Sequence, residues 1–242
     1  MHGNRKYTVN ESFFEQIDTE EKAYVLGFIM ADGYNNVKKR YINIRLAVTD
    51  EPHLIKIAKC LESNKPIRRV ISSAYKSDTY ESCQFSIDSV ILSKQLERLG
   101  VDGNKSRNLD FPLHLNPSLY SHFIRGYFDG DGSVSWTQKL KKAYISICGT
   151  EQFCSGIKTY LFQTFDIGGS IVQNKQKPNS CKELHICGNQ QILFLLTWMY
   201  GCGKVALERK KKKSLDIIKS IQSLRKHRTQ TLKKYELELV KG

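Results

Sequence analysis

The chain has 242 residues with 40% hydrophobic content, enough for one large domain or two small ones, each with its own core. A formal charge of +14, from 38 basic against 24 acidic residues, suits a polyanionic partner. No apolar run nears the roughly 20 residues of a spanning helix, which sets membranes aside and leaves nucleic acid.

The cysteines (Cys60, Cys83, Cys148, Cys154, Cys181, Cys187 and Cys202) are scattered, odd in number and follow no signal peptide. That pattern predicts an intracellular, non-secreted protein with reduced thiols and no disulfide support. Without CxxC pairs, core packing explains them better than zinc.

In chain order, the first element is a helix ending in Tyr24-Val25-Leu26-Gly27-Phe28-Ile29-Met30-Ala31-Asp32-Gly33. Ile42, Ile44, Leu46 and Val48 then alternate with polar neighbours, the period of a strand with one buried face. Thr49-Asp50-Glu51 reads as a helix N-terminus capped by Thr49, with the helix running to Glu62. A hairpin follows, its first arm near Ile67 to Lys76 and its second marked by Cys83, Phe85 and Ile87. A helix from Asp88 to Leu99 closes the unit, with Gly100 at a C′-like position.

After a linker, the same order returns. Phe123-Ile124-Arg125-Gly126-Tyr127-Phe128-Asp129-Gly130-Asp131-Gly132 repeats the first decapeptide, Gly27/Gly126 and Asp32/Asp131 each lying 99 positions apart. Ala143, Ile145, Ile147 and Gly149 repeat the strand, and Thr150-Glu151-Gln152 opens a helix to Phe165. The second hairpin lies near Gly169 to Lys177 and Leu184, Ile186, Gly188; a helix from Asn189 to Tyr200 ends before Gly201. The fold class is therefore α+β, two pseudo-symmetric αββαββα units, each a four-stranded antiparallel sheet packed on helices, joined at a two-helix interface. The expected boundaries are 1–102, a linker at 103–117, 118–222, and a basic helical tail at 223–242.

Small residues four apart, Gly27 with Ala31 and Gly126 with Gly130, fall on one face of each repeated helix. Glycine inside a helix costs about 0.5–1 kcal/mol relative to alanine, so matched use predicts that the two helices meet on these faces. Asp32 and Asp131 would then converge at the C-terminal ends, where helix dipoles add negative character and a cation is required. Oxygen ligands at a solvent-facing seam suit Mg²⁺, and the implied chemistry is phosphodiester hydrolysis. The metal site is assigned to Asp32 and Asp131 with their neighbours Ala31 and Gly130.

Both decapeptides resemble the signature helix of the LAGLIDADG homing endonucleases, and the likeness covers roughly residues 18–222. Two motifs in one chain resemble the monomeric members, implying a site-specific double-strand cut in an asymmetric target of roughly 20 base pairs. Mn²⁺ or Ca²⁺ would share the Mg²⁺ site, and a mobile intron or similar element would be the source. Met30 departs from the name motif, whereas Asp129 keeps its inner acid. The resemblance further assigns a polar residue after the second strand of each unit, matched by Asp50 and Glu151, and a lysine after the third helix, matched by Lys105 and Lys210.

By strand parity, Tyr41, Asn43, Arg45, Ser82, Gln84 and Ser86, then Lys142, Tyr144, Ser146, Glu183 and His185, face outward toward the duplex. Arg68, Arg69, Lys76, Lys139, Lys175 and Lys177 in the hairpins are the expected phosphate contacts. The alternative is a protein of the same fold that binds without cutting, an RNA-splicing maturase or a DNA regulator.

Overall fold

The computed structural model describes residues 6–73, 79–173 and 181–239. Its centre is a pair of helices, α1 (Glu20–Asp32) and α5 (Tyr120–Asp131). Thr19 caps α1 by accepting from the Lys22 N–H, and Glu20 and Glu21 complement the dipole in its first turn. Every residue from Ala23 to Ala31 is buried, because α1 meets α5 on one side and the rest of its own unit on the others. A Cβ on Gly27 would collide with the Phe123 carbonyl, one on Gly126 with the Tyr24 carbonyl, and one on Gly130 with the Ala31 side chain. The predicted helix interface at Gly27, Ala31, Gly126 and Gly130 is thus where the backbones meet.

Each central helix runs directly into an antiparallel sheet. In the first unit, β1 (Gly33–Asn36), β2 (Tyr41–Ala47), β3 (Arg68–Ser73) and β4 (Thr79–Asp88) are ordered β1-β2-β4-β3. In the second, β5 (Gly132–Thr137), β6 (Lys142–Gly149), β7 (Ser170–Gln173) and β8 (Lys182–Cys187) repeat the order as β5-β6-β8-β7. Ile42 opposite Ile87 and Ile44 opposite Phe85 point into the first core, as Ile145 opposite Ile186 and Ile147 opposite Leu184 do in the second. The other face of each sheet is left to solvent, and pairing register fixes which side chains occupy it.

Helices α2 (Glu51–Cys60) and α3 (Val90–Arg98) back the first sheet; α6 (Glu151–Phe165) and α7 (Asn189–Tyr200) back the second. Gly100 takes the expected left-handed conformation, with φ +85°, but Gly201 is right-handed, and Gly203 carries the positive φ instead. Thr150 caps α6 by accepting from the Phe153 N–H. Thr49 does not cap α2, because Val48–Asp50 forms a 3₁₀ turn and moves the cap position to Asp50. The connection between the units holds a short helix, α4 (Lys105–Asn108), and buries Leu109, Phe111 and Leu115 in the common core. Finally α8 (Glu208–Leu239) continues the basic C-terminal segment as one helix, its Ile217 and Ile221 buried.

The cysteine expectation needs one correction. Cys148 and Cys181 form a disulfide, with Cα atoms 6.4 Å apart, while Cys60, Cys83, Cys154, Cys187 and Cys202 are free thiols. Cys148 lies opposite Glu183 in the β6–β8 ladder, so Cys181 is its diagonal neighbour on the same outward face, within bridging reach. Among the described residues no helix is long and apolar enough to cross a membrane.

Candidate metal and nucleic-acid site

The interdigitated glycine faces bring the C-terminal ends of α1 and α5 together, and Asp32 and Asp131 leave those ends toward solvent. Asp32 lies along the bare backbone of α5: a Cβ on Gly130 would sit 3.2 Å from its Oδ2. Its carboxyl pKa is pushed up to about 6, first by the protein packed around it and then by the Asp131 charge; Lys210, Lys105 and Arg209 pull the other way. The Asp131 charge thus opposes ionisation of Asp32.

Lys105 and Lys210 are placed as a pseudo-symmetric pair. Lys105 Nζ donates to the carbonyls of Met30 (2.7 Å) and Ala31 (2.5 Å) at the end of α1. Lys210 Nζ donates to Phe128 (2.7 Å), Gly130 (3.1 Å) and Gly132 (2.5 Å) at the end of α5. Each ammonium donates to carbonyls around the C-terminal end of a central helix and opposes the negative dipole end; the Phe128 carbonyl also takes the Gly132 N–H. Burial lowers the pKa of both, that of Lys210 to about 8, against the pull of the nearby aspartates.

The donor set fits a hard divalent cation through its carboxylates. No cluster of three or more His, Cys, Asp or Glu suited to a metal occurs among the described residues; a divalent cation held here would need water or phosphate oxygens besides the two carboxylates. The carbonyls of Ala31 and Gly130 are each engaged by a lysine. A cavity of about 120 Å³ opens beside Asp131, lined by Ala31, Lys105, Tyr127, Gly149 and the Cys148–Cys181 bridge.

Asp50 and Glu151 have other partners. Asp50 accepts from Arg209 Nε at 3.0 and 3.1 Å, and Glu151 lies 3.6 Å from Lys182 Nζ. Sequence reasoning missed Arg209, since nothing in a run of five basic residues marks the one that reaches back to the first unit.

The outward faces of the sheets carry a polar lattice. Arg45 donates to Ser82 (2.7 Å) and Ser72 (2.6 Å), and Gln84 donates to Tyr41 (2.7 Å). In the second unit Glu183 accepts from Ser146 (2.8 Å) and pairs with His185 (2.8 Å). Asn43, Ser86, Lys142 and Tyr144 share these faces by register. So do further residues that sequence reasoning missed: Tyr34 and Asn36 on β1, and Ser133, Ser135 and Thr137 on β5. Alternation after each Asp-Gly would have found them.

Arg68 sits opposite Gln84 on the outward face, but Arg69 sits opposite Cys83 on the helical side and pairs with Glu51 at 2.7 Å. Arg69 is therefore removed from the expected phosphate contacts. Lys139 lies exposed in the β5–β6 turn; Lys76, Lys175 and Lys177 lie outside the described residues.

Paired helices ending in carboxylates, each running into its own outward-facing sheet, define the architecture of the LAGLIDADG fold. Residues 118–197 match the profile of the LAGLIDADG-like domain. The homing endonuclease I-WcaI bound to its DNA recognition sequence superposes with a TM-score of 0.62 at 13% identity, covering 87% of this chain and 94% of that one. I-GzeII in complex with its DNA target gives 0.55 at 15% identity, over 88% and 94%. Full-length DUF199/WhiA from Thermatoga maritima gives 0.54 at 20% identity, over 94% and 71%. A search among curated proteins found no match. The chain has the LAGLIDADG fold in its single-chain, two-motif form.

Proposed function

We propose that this protein is a site-specific endonuclease of double-stranded DNA, cutting one phosphodiester on each strand of an asymmetric target of about 20 base pairs. The observation that carries the reading is the convergence of Asp32 and Asp131 at the seam of α1 and α5, where each helix runs into its own outward-facing polar sheet. A bound Mg²⁺, or Mn²⁺ or Ca²⁺ in the same place, would polarise the scissile phosphate and lower the pKa of an attacking water. Asp32 and Asp131 would hold it. Lys105 and Lys210 set positive charge beside each carboxylate, where phosphate charge builds up in the reaction. The outward residues of units 1–102 and 118–222 each read one half-site, so one copy of the chain suffices, as expected for a mobile element that spreads by cutting.

A second reading, a DNA- or RNA-binding protein that does not cut, has one supporting observation: the match to WhiA, whose name carries no nuclease activity. Selection from a randomised DNA library, followed by incubation of a plasmid carrying the selected site with Mg²⁺ or Mn²⁺, separates the two. The endonuclease linearises the plasmid, and Asp32→Asn or Asp131→Asn lowers the rate at least a thousandfold while binding persists. Tight selection without any strand break in either metal would transfer the conclusion to the binding protein.

A further inference from the structure

The two lysines are reached by equivalent helices, but the segments that lead to them are held by different buried anchors. In the first unit the chain turns from α3 toward Lys105 through Val101. Buried Asn35, on β1, donates to the carbonyls of Val101 (2.7 Å) and Ser93 (2.9 Å) and accepts from Ser93 Oγ (2.7 Å). In the second unit the chain turns from α7 toward Lys210 through Leu207. Fully buried Asp129, on α5, accepts the Leu207 N–H (2.7 Å) and the hydroxyls of Tyr24 and Tyr200 (2.6 Å each).

At the 99-residue offset, Asn35 corresponds to Val134 and Asp129 to Met30. Each unit has one polar anchor and one apolar partner, and the positions are exchanged. Arg125, one turn before Asp129, reinforces the second anchor with bonds to the carbonyls of Met199 (2.7 Å), Cys202 (2.9 Å) and Val205 (3.0 Å). Its guanidinium fills the space that a Cβ on Gly203 would need, and Gly203 holds φ +106° there. A buried polar group tolerates little displacement of its partners, so each anchor fixes where its lysine segment begins.

We infer that Asn35 and Asp129 are positioning residues, each setting the placement of one lysine, Lys105 or Lys210, independently of the other. For catalysis this rests on the endonuclease reading. The consequence is unit-selective: loss of one anchor mislocates one lysine and slows the cleavage event that lysine assists.

Two measurements on the full chain test it. Amine-selective acylation read by mass spectrometry reports lysine placement without any activity. Asp129→Met should raise the labelling rate of Lys210 at least fivefold and leave Lys105 within twofold, and Asn35→Val should do the reverse. If either variant lacks the native circular dichroism, Tyr200→Phe and Ser93→Ala each remove one anchor contact, with about twofold effects expected on the same lysines. Labelling that changes equally at both lysines, or at neither, overturns the inference. Strand-resolved cleavage at the selected site should then show each variant slowing a different strand at least tenfold, with nicked intermediate accumulating. Equal slowing of both strands overturns the catalytic part; a wild-type chain that never cuts sinks the endonuclease reading, while the labelling rates still decide whether the anchors place the lysines.

Discussion

Arg209, in the first turn of α8, holds Asp50 at the start of α2, its Nε 3.0 and 3.1 Å from the two carboxylate oxygens. The pair joins the last helix to the first unit, and Lys56 with Glu208 at 2.5 Å lies beside it. Asp50 is buried and Arg209 is half open to solvent, so the cost of breaking the pair falls on the carboxylate left behind.

Arg209→Met should therefore destabilise the protein by about 1–3 kcal/mol, discounted for the exposed arginine. Asp50→Asn should cost less, since Asn leaves no buried charge. Urea unfolding of the two single variants and the double variant gives the coupling. Additive effects would mean that the contact contributes nothing to the junction.

The close approach of α1 and α5 predicts a second stability effect. Gly27→Ala and Gly126→Ala each place a methyl group against a backbone carbonyl of the facing helix, which cannot rotate away. Each should cost about 1–3 kcal/mol or more, a fall of several degrees in Tm for a chain of this size. Gly168→Ala is the control, because nothing lies within 4 Å of its Cβ position. Equal melting of all three variants would show that the helices can separate freely.

The repeat and the strand parity made the architecture legible, because a motif recurring at 99 residues and a period of two survive any uncertainty in loops. The same parity named Asn43, Arg45, Gln84 and Tyr144 correctly as outward. The expectation of Arg69 among the hairpin phosphate contacts rests on no parity argument, and the β3 register, which no local pattern fixes, turns it toward α2 instead. Parity could not reveal the Cys148–Cys181 bridge, which depends on a diagonal across β6 and β8. Nor could it pair Asp50 with Arg209, 159 positions apart, or expose the exchange of anchors between Asn35 and Asp129, which needs the packing of both connectors.

The orientation of β3 makes a paired prediction about DNA. Arg68 faces the proposed duplex surface, whereas Arg69 faces α2. Arg68→Ala should weaken binding across target sequences and reduce the salt slope by about 1, as expected on losing one phosphate contact. Arg69→Ala should leave affinity within twofold and cost at most about 1 kcal/mol of stability, since Arg69 itself is largely exposed in its pair with Glu51. Fluorescence anisotropy over a salt series distinguishes them, and an Arg69 variant with the larger loss would reverse the assigned faces.

Asp32 gives the proposed metal site a stability signature that needs no substrate. Its folded pKa of about 6 lies above the ordinary carboxyl value of 3.8. Folding thus favours the protonated form, and the stability this contributes is present below about pH 4 and lost as pH rises through 6. Asp32→Asn removes the penalty of ionising a carboxyl packed beside Asp131. In the presence of chelator the variant should match the wild type near pH 4 and become progressively more stable than it between pH 4 and 7. On the proposed metal site, saturating Mg²⁺ at pH 7 should narrow that gap, because the ion would stabilise the wild-type carboxylates and would lose a ligand in the variant. Denaturant titrations at several pH values, with and without metal, measure both effects. A pH-independent gap that Mg²⁺ leaves unchanged would mean that Asp32 neither feels Asp131 nor shares a cation with it.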